Sequence, residues 1–181
     1  AAFDTIDVVT GTPLVLNAVG QTSATVATSL VAKAAARGDS FVILDPDISD
    51  TTFAEIQTTA SGYAGVGSTS YAATYAPALL MVDPAKTGVG AVRATYPGGA
   101  LAGLYVRTEV ERSVAKAPAG YAADIRGAIA PTVKLTLAQV GTLYNGTNPV
   151  NTFKTVAGAG VTVDGARTLS KINPDKYINV H

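Results

Sequence analysis

Four aspartates, Asp39, Asp45, Asp47 and Asp50, crowd one short stretch. As hard oxygen ligands they suit Mg²⁺ or Ca²⁺, and a strand's C-terminal end is where α/β proteins often hold ligands. The same residues also fit a plainer reading. Asp45-Pro46-Asp47 is turn chemistry, and Asp50 stands near a helix start, which favours negative charge. Two glycine-rich runs, Gly65-Val-Gly67-Ser-Thr-Ser70 and Gly98-Gly-Ala-Leu-Ala-Gly103, approach phosphate-loop spacing but lack the further glycine or lysine such loops need. Glu109 and Glu111 are two apart, so on a helix they do not face each other as an acid/base pair.

Other chemistries are removed by composition. There is no cysteine, and the one histidine is His181, the last residue. Thiol catalysis, disulfides and Cys/His zinc sites are thereby excluded, and a His-dependent triad has no base in the body of the chain. No GxSxG elbow offers a serine nucleophile. Asn145-Gly-Thr147 matches a glycosylation sequon and reads better as a turn. No catalytic, cofactor-binding or metal-ligating residue is assigned, and no cofactor is expected.

The elements that would position these residues follow from pattern. Thr22 or Ser23 caps a helix running to Arg37, with Gly38 at its C-cap. Phe41–Leu44 is a buried strand stopped by Asp45-Pro46, and Thr52-Phe-Ala-Glu55 is a capping box whose helix ends at Gly62. Helix, strand, helix indicates α/β layering. Residues 62–75 read as a loop leading to a strand at Ala78–Val82, and Val89–Thr95 as the next strand. Pro97-Gly98-Gly99 then breaks the chain before a helix whose stripe is Leu101, Leu104, Tyr105 and Thr108. Ala100 and Gly103 leave that helix narrow for a close neighbour, and Arg107 can pair with Glu111 four residues on. Residues 125–133 are mildly apolar, Thr136–Leu143 is a short helix, and Val150–Val156, Val161–Val163 and Tyr177–Val180 are strands. A short strand and loop fill residues 1–21.

The 181 residues fit a single compact α/β domain, a mixed sheet flanked by helices. Only 14% of residues are charged, so much of the surface is neutral or covered by something else. Net charge is zero but segregated: residues 1–85 carry two bases against eight acids, net −6, and residues 86–181 carry eleven bases against five acids, net +6. The halves either neutralise each other within one fold or put opposite sign at opposite ends, which suits head-to-tail contacts. The bases are dispersed and do not alternate with the tyrosines as a nucleic-acid stacking platform requires. No apolar run approaches the roughly 18 residues of a membrane span, and the start lacks a signal-peptide plan. Neither nucleic acid nor membrane is an expected partner.

The stretch Pro97–Gly120, PGGALAGLYVRTEVERSVAKAPAG, resembles the signature segment of contractile tail sheath proteins, which surround the tubes of contractile phage tails, tailocins and related injection machines. Gly165-Ala166-Arg167-Thr168-Leu169 looks like that family's GARTL element, and Tyr177-Ile178-Asn179-Val180 like its YVNV strand. Asp39–Pro46 is similar to its DRFAILD-type strand, and Tyr71–Val82 to its Tyr-rich segment. The landmarks occur in family order across residues 25–180.

The resemblance implies a structural, non-enzymatic subunit. Copies of the chain would stack as rings or a helix around an inner tail tube protein, between a baseplate and a tail terminator. They would then repack to drive the tube through a cell envelope. It implies a place in the virion (the bacteriophage tail), with assembly in the host bacterial cytoplasm. Neighbours would be linked by terminal strands that add to an adjacent sheet. It also implies that Arg107, Arg112 and Arg167 make structural ion pairs. Residues 1–181 would be the sheath core domain, without the family's N-terminal arm or outer domain and its C-terminal region. Two other readings stand beside it, a static virion decoration protein and a small metal-dependent α/β hydrolase using Asp39–Asp50.

Overall fold

The computed structural model describes residues 3–113, 115–173 and 175–178. Its frame is a five-stranded sheet in the order β1-β2-β3-β7-β8, where β1 is Leu14–Asn17, β2 Ser40–Leu44, β3 Ala72–Tyr75, β7 Val150–Val156 and β8 Gly160–Asp164. The first four strands run parallel and β8 closes the edge antiparallel to β7. A second sheet, β5-β4-β6, is antiparallel and consists of β4 Leu79–Val82, β5 Val92–Thr95 and β6 Ala128–Pro131. The α/β class holds, with a second small sheet beside the mixed one.

Among the described residues four α-helices flank the sheets: α1 Ala24–Arg37, α2 Phe53–Gly62, α3 Gly98–Glu111 and α4 Leu137–Tyr144. Alternation along the strands sends side chains to two cores. Val42, Leu44 and Ala72 meet α1 through Ala27, Leu30, Val31 and Ala34. Ile43, Ala73 and Tyr75 point the other way, to Leu101 and Leu104 of α3 and to Phe153, Val161 and Val163. Ile56 and Ala60 of α2 pack with Leu143 and Val150.

The caps form where the sequence places them. Gly38 takes a left-handed conformation (φ 75°), and Thr52 and Glu55 form the capping box of α2. A second box, Thr136 with Gln139, opens α4. Ser23 is the N-cap of α1 without a side-chain bond.

One strand overturns the reading. Ala72–Tyr75, expected as loop, is a fully buried central strand between β2 and β7. Two of its four residues are alanines and only Thr74 is β-branched, so it lacks the β-branched run that marks a strand in the sequence. Val89–Thr95 shortens to Val92–Thr95, because Gly88 and Gly90 hold positive φ in a hairpin loop. Of the strand expected at Tyr177–Val180, Tyr177 makes a single antiparallel bridge with Arg167, and Asn179 and Val180 lie outside the described residues.

Candidate functional site

The aspartates divide their work rather than converging. Asp39 accepts from Nε and Nη2 of Arg37 at 2.9 and 3.0 Å and from Ser40 Oγ at 2.9 Å. Those partners, Ser40 first, hold its carboxyl below the usual range. Asp47 accepts from the backbone N–H and hydroxyl of Ser49, which also lowers it. Asp50 is buried with Oδ2 unpaired, and burial raises its carboxyl. Among the described residues no three acidic or histidine side chains gather as a metal would require.

Asp45 joins three elements. Its side chain follows β2, is 1% exposed, and accepts from the Gly98 N–H at 2.8 Å, Asn17 Nδ2 at 3.1 Å and the Gly20 N–H at 3.4 Å. Burial raises its carboxyl, and the three donors hold the rise back. Tyr63 donates to its carbonyl at 2.6 Å. The Gly98–Gly103 run therefore presents no anion cradle, because this chain's own carboxylate takes the first N–H of α3. The close approach expected at Ala100 and Gly103 occurs instead at Gly98, where a Cβ would lie 2.3 Å from the Asn17 amide, while one on Gly103 would meet nothing. The Gly65–Ser70 run forms a 3-10 turn over Tyr63–Val66 and a loop with Gly67 at φ 75°, with no helix N-terminus after it.

The arginines separate into three cases. Arg107 turns away from the expected partner Glu111 and donates Nη2 to Asp124, reaching its carbonyl at 2.6 Å and its Oδ1 at 2.9 Å. Arg167 lies between two rings, 5.3 Å from the centre of Tyr144 and 5.8 Å from that of Tyr177. Its Nη1 reaches the Tyr144 carbonyl at 3.2 Å, and Asn151 binds its backbone on both sides. Arg112 is exposed at the end of α3, as are Glu109 and Glu111. Asn145 turns its amide back to the Gly141 carbonyl as the C-cap of α4. Among the described residues, the ion pairs of Lys33, Arg37, Arg107 and Lys154 join residues of the same half of the chain, and Lys86–Asp83 spans the boundary.

Three side chains that the sequence did not single out organise this region. Asn17, the last residue of β1, and Asn151, the second of β7, are polar anchors, and Tyr75 bonds Tyr105 hydroxyl to hydroxyl at 2.7 Å inside the core. Burial pushes both tyrosines far above their ordinary range. Above this pair, a groove of about 400 Å³ runs between the starts of β1 and β2 and the outer side of α3. It lies at the N-terminal ends of the parallel strands, opposite the end where α/β proteins usually hold ligands.

The solved structures share this framework. A chain in the sheath complex of the extracellular contractile injection system PVC, in its contracted state, matches 97% of this chain with a TM-score of 0.75 and 25% identity. The fold is that of a contractile sheath subunit. A chain in the six-fold symmetrised baseplate of the anti-feeding prophage matches 97% at TM-score 0.68 and 24% identity, and one in that prophage's contracted helical sheath matches 86% at 0.63 and 23%. This chain spans 45%, 43% and 38% of those three chains, less than half of each. No family model and no curated protein matches it. The sheath motifs therefore sit on the sheath fold. The Pro97–Gly120 segment is α3 with its flanking loop, and the GARTL-like element carries the Arg167 sandwich.

Proposed function

We propose that this chain is the core domain of a contractile tail sheath subunit and that its work is mechanical rather than enzymatic. Many copies assemble helically around an inner tube, next to a baseplate, in a phage-tail-like particle. Repacking of subunit contacts shortens the assembly and advances the tube. The free energy comes from a larger contact area in the shorter form, with no cofactor or nucleotide involved. The carrying observation is the match over 97% of the chain to a sheath complex, with the motifs in family order. The residues fit a scaffold: Asp45, Arg107 and Arg167 each lock one element to another, and the acidic stretch is spent on turns, a helix start and an ion pair.

Negative-stain microscopy of the full-length protein tests this reading. Hollow tubes of sheath-like diameter are expected, lengthening around added tube protein. A protein that decorates particles without forming tubes would leave the static decoration role. Metal-dependent stabilisation lost in Asp45→Asn would restore the hydrolase.

A further inference from the structure

The small sheet breaks the usual rule for antiparallel strands. One face should be apolar and packed, and the other polar and wet. In β4, Leu79 is buried and Met81 packs on the main core, so Leu80 and Val82 face outward. Cross-strand register adds Ala94 and Ala130 opposite Leu80, and Val92 opposite Val82. The outer face is therefore apolar throughout, and none of these five side chains belongs to a buried cluster. The β4–β5 loop extends it. Val89 stands wholly exposed at its tip between Gly88 and Gly90, which hold φ 94° and 89°. A bare valine between two left-handed glycines is a projecting apolar knob.

A concave counterpart exists elsewhere on the same chain. The 400 Å³ groove beside α3 is lined by Leu14, Val15, Phe41, Tyr71, Tyr105 and Val106, and Val106 is 56% exposed. Its charged rim on α3 is Glu109, with Lys116 beyond. The knob's charged neighbour is Lys86, 63% exposed and only loosely tied to Asp83 at 3.5 Å. One surface projects and the other is concave, both are apolar, and Lys86 and Glu109 carry opposite sign.

We infer that the Val89 hairpin of one copy seats in the Leu14–Phe41–Val106 groove of a second copy, with Lys86 against Glu109. The contact joins different surfaces, so it can repeat from copy to copy, and a helical assembly follows where the rotation between copies does not close. It rests on the sheath reading and assigns one subunit contact within it. The hairpin is anchored to the small sheet and the groove to β1, β2 and α3, so the contact couples the two sheets of adjacent copies.

The test uses the full-length protein and the critical concentration for tube formation, measured by sedimentation. Val89→Asp, Val106→Glu and Lys86→Glu alter exposed side chains, and unchanged circular dichroism and melting confirm the fold. Each is expected to raise the critical concentration about tenfold or more, because burying a charge or opposing like charges at a repeated contact is costly. The exchange Lys86→Glu with Glu109→Lys should bring it back to within about threefold of wild type. Normal assembly of Val89→Asp and Lys86→Glu, with wild type forming tubes, overturns the contact and leaves the sheath role standing. Loss in Val106→Glu alone gives the groove another occupant, such as a further segment of the same polypeptide, and also overturns it. Wild type that never assembles overturns both.

Discussion

Arg107 grips Asp124 through one nitrogen, which reaches both the carboxylate at 2.9 Å and the carbonyl at 2.6 Å. The residues lie 17 apart, one on α3 and one in the segment that bridges to β8 at Thr162. The side chain of Arg107 is 16% exposed and that of Asp124 36%, so the pair is partly sheltered from water and salt on the arginine side. Removing a charged donor from a sheltered pair costs more than breaking a surface ion pair. Arg107→Ala is expected to lower stability by about 2 kcal/mol and Arg107→Lys by about 1, since an ammonium does not reproduce the guanidinium geometry. Urea unfolding midpoints at constant slope measure both. Equal stability of Arg107→Lys and wild type would show that charge alone suffices.

Gly98 and Asn17 are coupled by contact. A methyl group on Gly98 would overlap the Asn17 amide at 2.3 Å, and that amide is held by the Ile43 carbonyl at 2.9 Å and by Asp45. Gly98→Ala must displace it, leaving buried acceptors short of a donor, at a cost of about 2–3 kcal/mol. Asn17→Ala alone should cost about 1–2 kcal/mol. The double variant should cost clearly less than the two together, because the overlap is gone. Strict additivity in a double-mutant cycle would contradict the contact.

Arg167 secures the segment that follows β8. Thr168 donates its N–H to the Lys176 carbonyl and Ile178 to that of Ala166, both beside the Tyr144–Arg167–Tyr177 stack. Arg167→Lys keeps the charge but stacks less well, so a loss of about 1 kcal/mol is expected. The more specific sign is faster hydrogen exchange at the Thr168 and Ile178 amides, with β2 and β3 unchanged. Uniform acceleration across the chain would mean a global effect instead.

The acidic stretch sets the pH response. Asp45 and Asp50 are raised in the folded chain, chiefly by burial. Their contribution to stability is full below the unfolded value near about 4 and is lost as pH rises through the folded value. Asp39, Asp47 and Glu55 are lowered by hydrogen bonds, and their contribution is present above about 4 and lost as pH falls through their folded values. Melting temperature should therefore climb as pH falls from 7 toward about 4 and drop below it. Asp50→Asn should flatten the climb and leave the acid drop in place. A curve unchanged by that substitution would assign the climb to Asp45.

Helices α1, α2 and α4 were legible because their signals are local. Thr52 with Glu55 and Gly38 after its own helix act within one turn of backbone, and the structure keeps both, while the helix read over Thr136–Leu143 forms one residue later with Thr136 as its cap. The stripe of α3 was equally legible, since Leu101 and Leu104 fall on one helical face whatever the neighbours are. Strand β3 was not, because Ala72–Tyr75 is held in place by β2 and β7 rather than by its own propensity.

The sequence by itself determined the α/β class, the limits of α1, α2 and α4 to within a residue or so, the lack of cysteine and of any histidine but the last residue, and the motif order that resembles sheath proteins. The partners of its polar groups were decided only in three dimensions. Asp45 reaches Gly98 across 53 positions and Arg107 reaches Asp124 across 17, while the nearer Glu111 stays unused. A helical neighbour four residues away offers an exposed pair worth a few tenths of a kcal/mol. A partner brought up by packing offers a sheltered, charge-assisted bond worth several times that. The tertiary fold therefore chooses the partner, and spacing along the chain does not reveal it.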